Sequence, residues 1–452
     1  MSSVKEIIEK AAARGATSSE VFLLSSLTTS VDFETSRLKN ISTTEETGAA
    51  LRLVADGRVG FATTTRLDDI DRLVDNAMAT AALGESPEHA FAGPASLTSP
   101  SIDDPAVREL SLEEMVETAG RAVEKVKSYE QQMNVETTTT RDLQKVTVLT
   151  SEGFEGSFER TVYEHGVGGR LIEGENLLHV WEHHAGSTAS FDHDAMADEV
   201  IEMTKKGRVN APVSTGPTTV ILTPRALIDV LMTLHLGLNG SVVERGISPL
   251  SDKLGETVFD ERITIVDDGL MDGGFGSAPF DDEGTSMSRT PLVENGRVVS
   301  YFTDRRSAER LEHPATGNGL RVKRLVQTKQ LSKSPAPEIT NWVIPAGEKP
   351  LDELIDGVKD GVMVDSIMGI LMSNLMAGDF SGNIALGFRL KNGKLVGRVK
   401  DAMIAGNVYR LLKDRVVALS SDVKRVGLLG GIGSHELPYV VLKDVAISTK
   451  SA

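Results

Sequence analysis

The stretch TGAALRLVADGRVGFATTT, Thr47–Thr65, decides the fold of the first part of the chain. Apolar residues flank Asp56-Gly57, a pair that tolerates the positive φ of a two-residue turn, so the stretch is a hairpin of two antiparallel strands. Upstream, SEVFLLSS from Ser19 and TSVDFET from Thr29 extend the strand pattern. MSSVKEIIEKAAARG precedes them as an amphipathic helix closed by Gly15. Downstream, Asp68–Gly84 returns to helical spacing through Ile70, Leu73, Val74 and Met78.

This unit ends in SPEHAFAGPASLTSPSIDDP, Ser86–Pro105, which has no period and is dense in Pro, Ser and Gly. A boundary placed there gives an N-terminal α/β domain over 1–105. A middle α+β domain, 106–212, opens with a helix over Ser111–Lys127, capped by Ser111 with Glu113 and Glu114 in its first turn. Strands follow to about Gly186, then a helix over Phe191–Lys206 and a linker over Asn210–Pro217. The remainder, 213–452, is β-rich, with turns at Glu294-Asn295-Gly296-Arg297 and Lys391-Asn392-Gly393-Lys394 and helices at Pro224–Leu238 and Pro350–Val358. The fold class expected is α+β. No short fixed period runs through the chain, which argues against a solenoid or propeller.

At 452 residues, 40% hydrophobic and 25% charged, the chain has the composition of a globular protein of two or three domains. Lys and Arg total 48 against 65 Asp and Glu, a net charge of −17, and no basic run offsets it. Direct nucleic-acid binding, which needs clustered cations, is disfavoured. Zero Cys excludes disulfides, thiolate ligands and a cysteine nucleophile, and fits a reducing cytoplasm. No apolar run approaches the ~18–20 residues of a membrane span.

Four motifs invite chemistry. His179-Val180-Trp181-Glu182-His183 matches the H-x-x-E-H pattern of inverted zinc peptidases. On a helix the two His could share one Zn²⁺. On a strand they stand about 13 Å apart, at roughly 3.3 Å per residue, and the period-two pattern and flanking glycines favour the strand. His235, near the end of the apolar helix Pro224–Leu238, is expected to be packed or stabilised by the helix dipole. The acidic run Asp281, Asp282, Glu283 lies in a Gly-rich stretch without P-loop chemistry and is expected to be an exposed turn. Met368, Met372 and Met376, four apart, are expected to be the core face of a helix.

The ordered set PFDDEG-TSMSRT-PLVENGRVVSYFTDRRSAER (Pro279–Arg310), ATGNGLR (Ala315–Arg321), the Gly369–Gly378 helix with GDFSG (Gly378–Gly382) and IAGN (Ile404–Asn407) resembles the TldD/PmbA family. The hairpin of Thr47–Thr65 resembles that family's N-terminal hairpin. The resemblance implies a large β-rich C-terminal domain. It also implies a role close to zinc peptidases that hold metal on an HExxxH helix and act on unfolded peptides. At the matched helix this chain has His235-Leu236-Gly237-Leu238-Asn239-Gly240, so Leu236 replaces the Glu and Gly240 the second His. Neither a base nor a second ligand remains.

The resemblance therefore implies a PmbA/TldE-type subunit without a cofactor of its own, with zinc in a TldD-type partner and a homodimer when alone. Candidate positions on a peptide groove are His235, Asp281, Asp282, Glu283, Arg289 and Asp379. Two alternatives stand beside it: a self-contained zinc peptidase using His179, Glu182 and His183, and a protein-binding modulator of DNA gyrase.

Overall fold

The structure, a computed structural model, describes residues 2–189, 192–323, 326–427 and 433–449. Strands β1 (Ser18–Glu34), β2 (Arg37–Ala55), β3 (Arg58–Thr64), β4 (Asn134–Thr150), β5 (Glu155–Glu173) and β6 (Asn176–Gly186) form one antiparallel sheet in the order β3-β2-β1-β4-β5-β6. The expected β2–β3 turn is present, with Asp56 at φ 49° and Gly57 at φ 69°.

Helices α1 (Ser2–Ala13) and α2 (Ile70–Ala81) cover one end of the sheet, burying Ile7, Leu73 and Val74 against Val21 and Leu51. After α3 (Pro105–Glu109), α4 (Leu112–Tyr129) and α5 (His193–Gly207) pack on the sheet. In α4, Ser111 and Glu114 form a reciprocal capping box. Asp192 caps α5, and Phe191, where the sequence starts this helix, lies outside the described residues.

The boundary expected across Ser86–Pro105 needs correction. That stretch separates α2 from α3, but β1 pairs with β2 on one side and β4 on the other, so a single sheet spans it. Pairing between strands more than 100 residues apart is invisible to a local change in composition.

The second sheet holds β7 (Gly216–Leu222), β8 (Ile265–Asp268), β9 (Arg289–Glu294), β10 (Arg297–Val298), β15 (Trp342–Val343), β16 (Asp360–Met368), β17 (Asp379–Lys391), β18 (Lys394–Arg398), β19 (Ala402–Asn407), β20 (Val416–Gly427) and β21 (Ser434–Thr449). Between its strands β10 and β15, β11 (Gly319–Leu320) pairs with β14 (Ala336–Pro337), and β12 (Val322–Lys323) with β13 (Val326–Lys329). Because β7 pairs with both β16 and β21, strands β21, β19, β17, β16 and β7 close into a ring. Helix α6 (Pro224–Leu238) packs against strands of this ring, and eleven of its fifteen residues are buried. A helix apolar on nearly every side belongs in a core. The fold is thus α+β with a large β-rich C-terminal part, as expected.

Two expectations fail around Gly369–Gly378. The segment is not a helix but two short 3₁₀ turns, Ile370–Met372 and Leu375–Ala377, bounded by Gly369 at φ 90° and Gly378 at φ 75° and separated by an extended Ser373. The methionine stripe is consequently not core: Met368 is 61% and Met372 92% exposed. Among the described residues, no helix is long and apolar enough to cross a membrane.

Candidate functional site

The acidic run expected to be an exposed turn is buried. Asp281, Asp282 and Glu283 are each at most 1% exposed. Asp281 accepts backbone N–H bonds from Glu283, Thr285 and Gly319, and Asp282 accepts one from Arg321. Glu283 accepts from Arg52 at 2.9 Å, and Arg52 also forks onto Glu20 at 2.9 and 2.7 Å. Arg321, fully buried, reaches Glu20 at 3.1 Å.

Arg52 comes from the hairpin Thr47–Thr65 and Glu283 from PFDDEG, so the two motifs that opened the resemblance are joined by one buried ion network. Burial works against ionising Glu283, yet Arg52 and His89 outweigh it and hold its carboxyl below the usual value. Burial and the adjacent Glu283 charge push Asp281 the other way, well above its usual range. Glu283 thus ties the first sheet to the C-terminal part through Arg52, and none of the three buried acids is open to a peptide.

His235 is also fully buried. Its Nε2 meets Glu338 Oε1 at 2.5 Å, and its ring lies 5.1 Å from Phe302 and 6.5 Å from Trp342. The helix ends at Leu238, where the sequence places its end, and does not reach Gly240. Asn239 takes an extended conformation and caps the next helix, α7 (Gly240–Val243), by accepting from Ser241 N–H. His235 and Gly240 thus do not share a helix face. Arg289, at the start of β9, and Asp379, at the start of β17, are exposed. Arg289 lies 3.4 Å from Asp268, and Asp379 accepts from Asn407 at 2.8 Å, joining GDFSG to IAGN.

None of these six lines the cleft of about 710 Å³ that opens between the two sheets. One wall is β6, which is a strand as favoured above, so His179 and His183 are about 13 Å apart at roughly 3.3 Å per residue. That spacing rules out one ion gripped by both, and no group of three His, Asp or Glu able to hold a metal occurs among the described residues. A zinc site on His179, Glu182 and His183 does not fit the strand.

What Glu182 does instead is pair with Arg225, from the first turn of α6, at 3.1 Å. Arg225 also binds Asp365 at 3.0 Å and donates to the Trp181 carbonyl. Asp365 sits where the β16–β17 register skips a residue, between Val364 and Ser366. Such a bulge re-aims a side chain. One turn along α6, Asp229 accepts from the Ile367 N–H at 3.4 Å. Burial pushes its carboxyl up to about 7. Burial likewise raises Glu182.

Lys424 of β20 and Tyr439 of β21 add to the polar lining, while Met196 and Met203 of α5, Ile228 and Met363 supply apolar walls. Sequence reading saw α6 only as an apolar helix and missed Arg225 and Asp229. The available signal was a pair of charges at i and i+4 inside an otherwise apolar helix.

An antiparallel sheet docked on a strand ring with a buried helix packed against it, and a charged cleft along the seam, defines a two-module α+β class of protein. The chain belongs to the PmbA/TldD family. Residues 215–449 match the PmbA/TldA metallopeptidase C-terminal domain and residues 19–81 match PmbA/TldA metallopeptidase domain 1. An uncharacterised protein of Methanocaldococcus jannaschii is 27% identical over 427 residues, 91% of this chain and 93% of the relative. A metalloprotease of Methanothermobacter thermautotrophicus is 32% identical over 216 residues, 47% of this chain and 45% of its own length.

Among solved structures, TldE from Thermococcus kodakarensis superposes with a TM-score of 0.89 at 20% identity, covering 99% of this chain and 100% of that one. A Thermotoga maritima protein described as a conjectured modulator of a DNA gyrase gives 0.88 at 19%, covering 99% of both chains. At these identities the superpositions speak for the fold.

Proposed function

We propose that the chain is a PmbA/TldE-type subunit of a TldD/TldE metallopeptidase complex acting on unfolded peptides, with the catalytic zinc in a TldD-type partner. The observation that carries this reading is the end of α6. There His235 is sealed between Phe302, Trp342 and Glu338, and Asn239 breaks the helix before Gly240. A catalytic zinc needs three ligands and an open coordination position, and a histidine with no exposed surface in a core offers neither. Family membership and a full-length likeness to a TldE fold support the same assignment.

In this arrangement the subunit acts by shaping and closing a shared chamber, and the exposed Arg289 and Asp379 remain its groove positions. The test is to mix the purified chain with a TldD-type subunit and follow cleavage of an unfolded peptide together with zinc content. Cleavage should rise above that of the TldD-type subunit alone, with zinc in that subunit. Unchanged cleavage, or one zinc per chain in this protein by itself, would sink the proposal.

A further inference from the structure

The cleft between the sheets is lined by more carboxylates than cations. Facing it are Glu136 of β4, His179, Glu182, His183 and His184 of β6, Glu199 and Lys206 of α5, Arg225 and Asp229 of α6, Asp365 of β16, Lys424 and Arg425 of β20, Tyr439 of β21, and Asp352. Arg225 is divided between Glu182 and Asp365. Arg425 is engaged by Glu436 at 2.7 Å. Lys424 is held at Tyr439, with Glu199 and Glu182 as its further counter-charges. Asp229 accepts from the Ile367 amide and feels the opposing charges of Arg225 and Asp365, but among the described residues it makes no ion pair of its own.

On the β6 wall, the indole Nε1 of Trp181 is buried with no acceptor among the described residues. The volume is that of a small-ligand site, which typically holds ~300–1,000 Å³. Its methionine walls can adapt to stems of different shape.

We propose that this cleft binds an organic cation, a primary ammonium or guanidinium on an apolar stem, with Asp229 as its anchor and the Trp181 N–H as donor to a carbonyl on the same ligand. Burial alone keeps a carboxyl partly protonated, and a cation beside it restores the charged form. The free Asp229 carboxyl titrates near 7. Only its ionised form attracts the ligand, so affinity rises with pH through that value. The shared chemistry has two sources, a basic side chain of a peptide or a free polyamine. The inference does not depend on the peptidase reading, because the free chain is titrated without a partner.

The experiment is calorimetric titration of the full chain with N-acetyl-Leu-Lys amide, its Nε-acetylated counterpart and spermidine at pH 6, 7 and 8. The charged dipeptide should bind about tenfold or more tightly than the acetylated one, the difference of a desolvated charge-assisted contact, and more tightly at pH 8 than at pH 6. Asp229→Asn, which keeps the shape, should remove that preference. Met196→Lys, which places an internal ammonium in the cleft, should abolish binding with the thermal unfolding curve unchanged. Tighter spermidine than dipeptide assigns the site to polyamines, and the reverse order assigns it to peptides. Equal binding of both dipeptides, no binding of any probe, or undiminished binding to Asp229→Asn overturns the proposal.

Discussion

Arg52 is the residue on which the two halves of the chain depend most directly. Its guanidinium compensates Glu20 and Glu283, both with at most 1% of their surface exposed. Removing one partner of a buried pair leaves uncompensated charge, so Arg52→Met is expected to cost ~3–5 kcal/mol. Chemical denaturation measures it, and Arg52→Met combined with Glu283→Gln should recover part of the loss.

A second residue-scale prediction concerns acid stability. Burial, reinforced by the charges of His193, His183 and Arg121, lowers His165 to about 3, while the unfolded chain titrates near 6.5. Its contribution is therefore complete above about 6.5 and is lost as pH falls toward 3. His165→Asn should make the fall in unfolding free energy shallower by up to ~1.4 kcal/mol per pH unit between pH 6 and 4. Neither residue announces its role in the sequence. Arg52 and Glu283 are 231 positions apart, and a run of three acids with no visible cation nearby reads as solvated.

Elements were readable where their determinants are local. The turns at Asp56-Gly57, Asn295-Gly296 and Asn392-Gly393 all take the positive φ their residues announce. The Ser111/Glu114 box starts α4 where the sequence places it, and Ser111→Ala should cost ~1 kcal/mol in thermal or denaturant unfolding. The methionines show the opposite case. Their spacing of four matches a helix, but Gly369 and Gly378 in left-handed conformations bound the segment and an extended Ser373 splits it into two turns, leaving Met372 almost wholly in solvent. Met372→Ser should accordingly change stability by less than ~0.5 kcal/mol, whereas a core methionine would cost several times more. The cleft residues were obscured for a third reason: Arg225 acquires its partners from β6 and from a bulge in β16, neither of which the helix itself encodes.

At the scale of the whole molecule, the two sheets are sewn together along β6. Among the described residues this strand pairs only with β5. Three carbonyls on its other side are met from the C-terminal part: Leu177 by Arg398 at 2.8 Å, Trp181 by Arg225 and Ala185 by Ser434 at 2.8 Å. Arg398→Ala should raise amide exchange at the start of β6 and in β18 while leaving β1–β4 protected, as mass-resolved hydrogen exchange would report.

The same seam imposes a timetable on synthesis. Ser434 is made 248 residues after Gly186, an interval on the order of 10–50 s at roughly 5–20 residues per second. Through that time the first sheet stands finished with one bare edge, a template on which neighbouring nascent chains can pair. The load this protein places on the cell's chaperones is set by how late in translation its last stitches arrive.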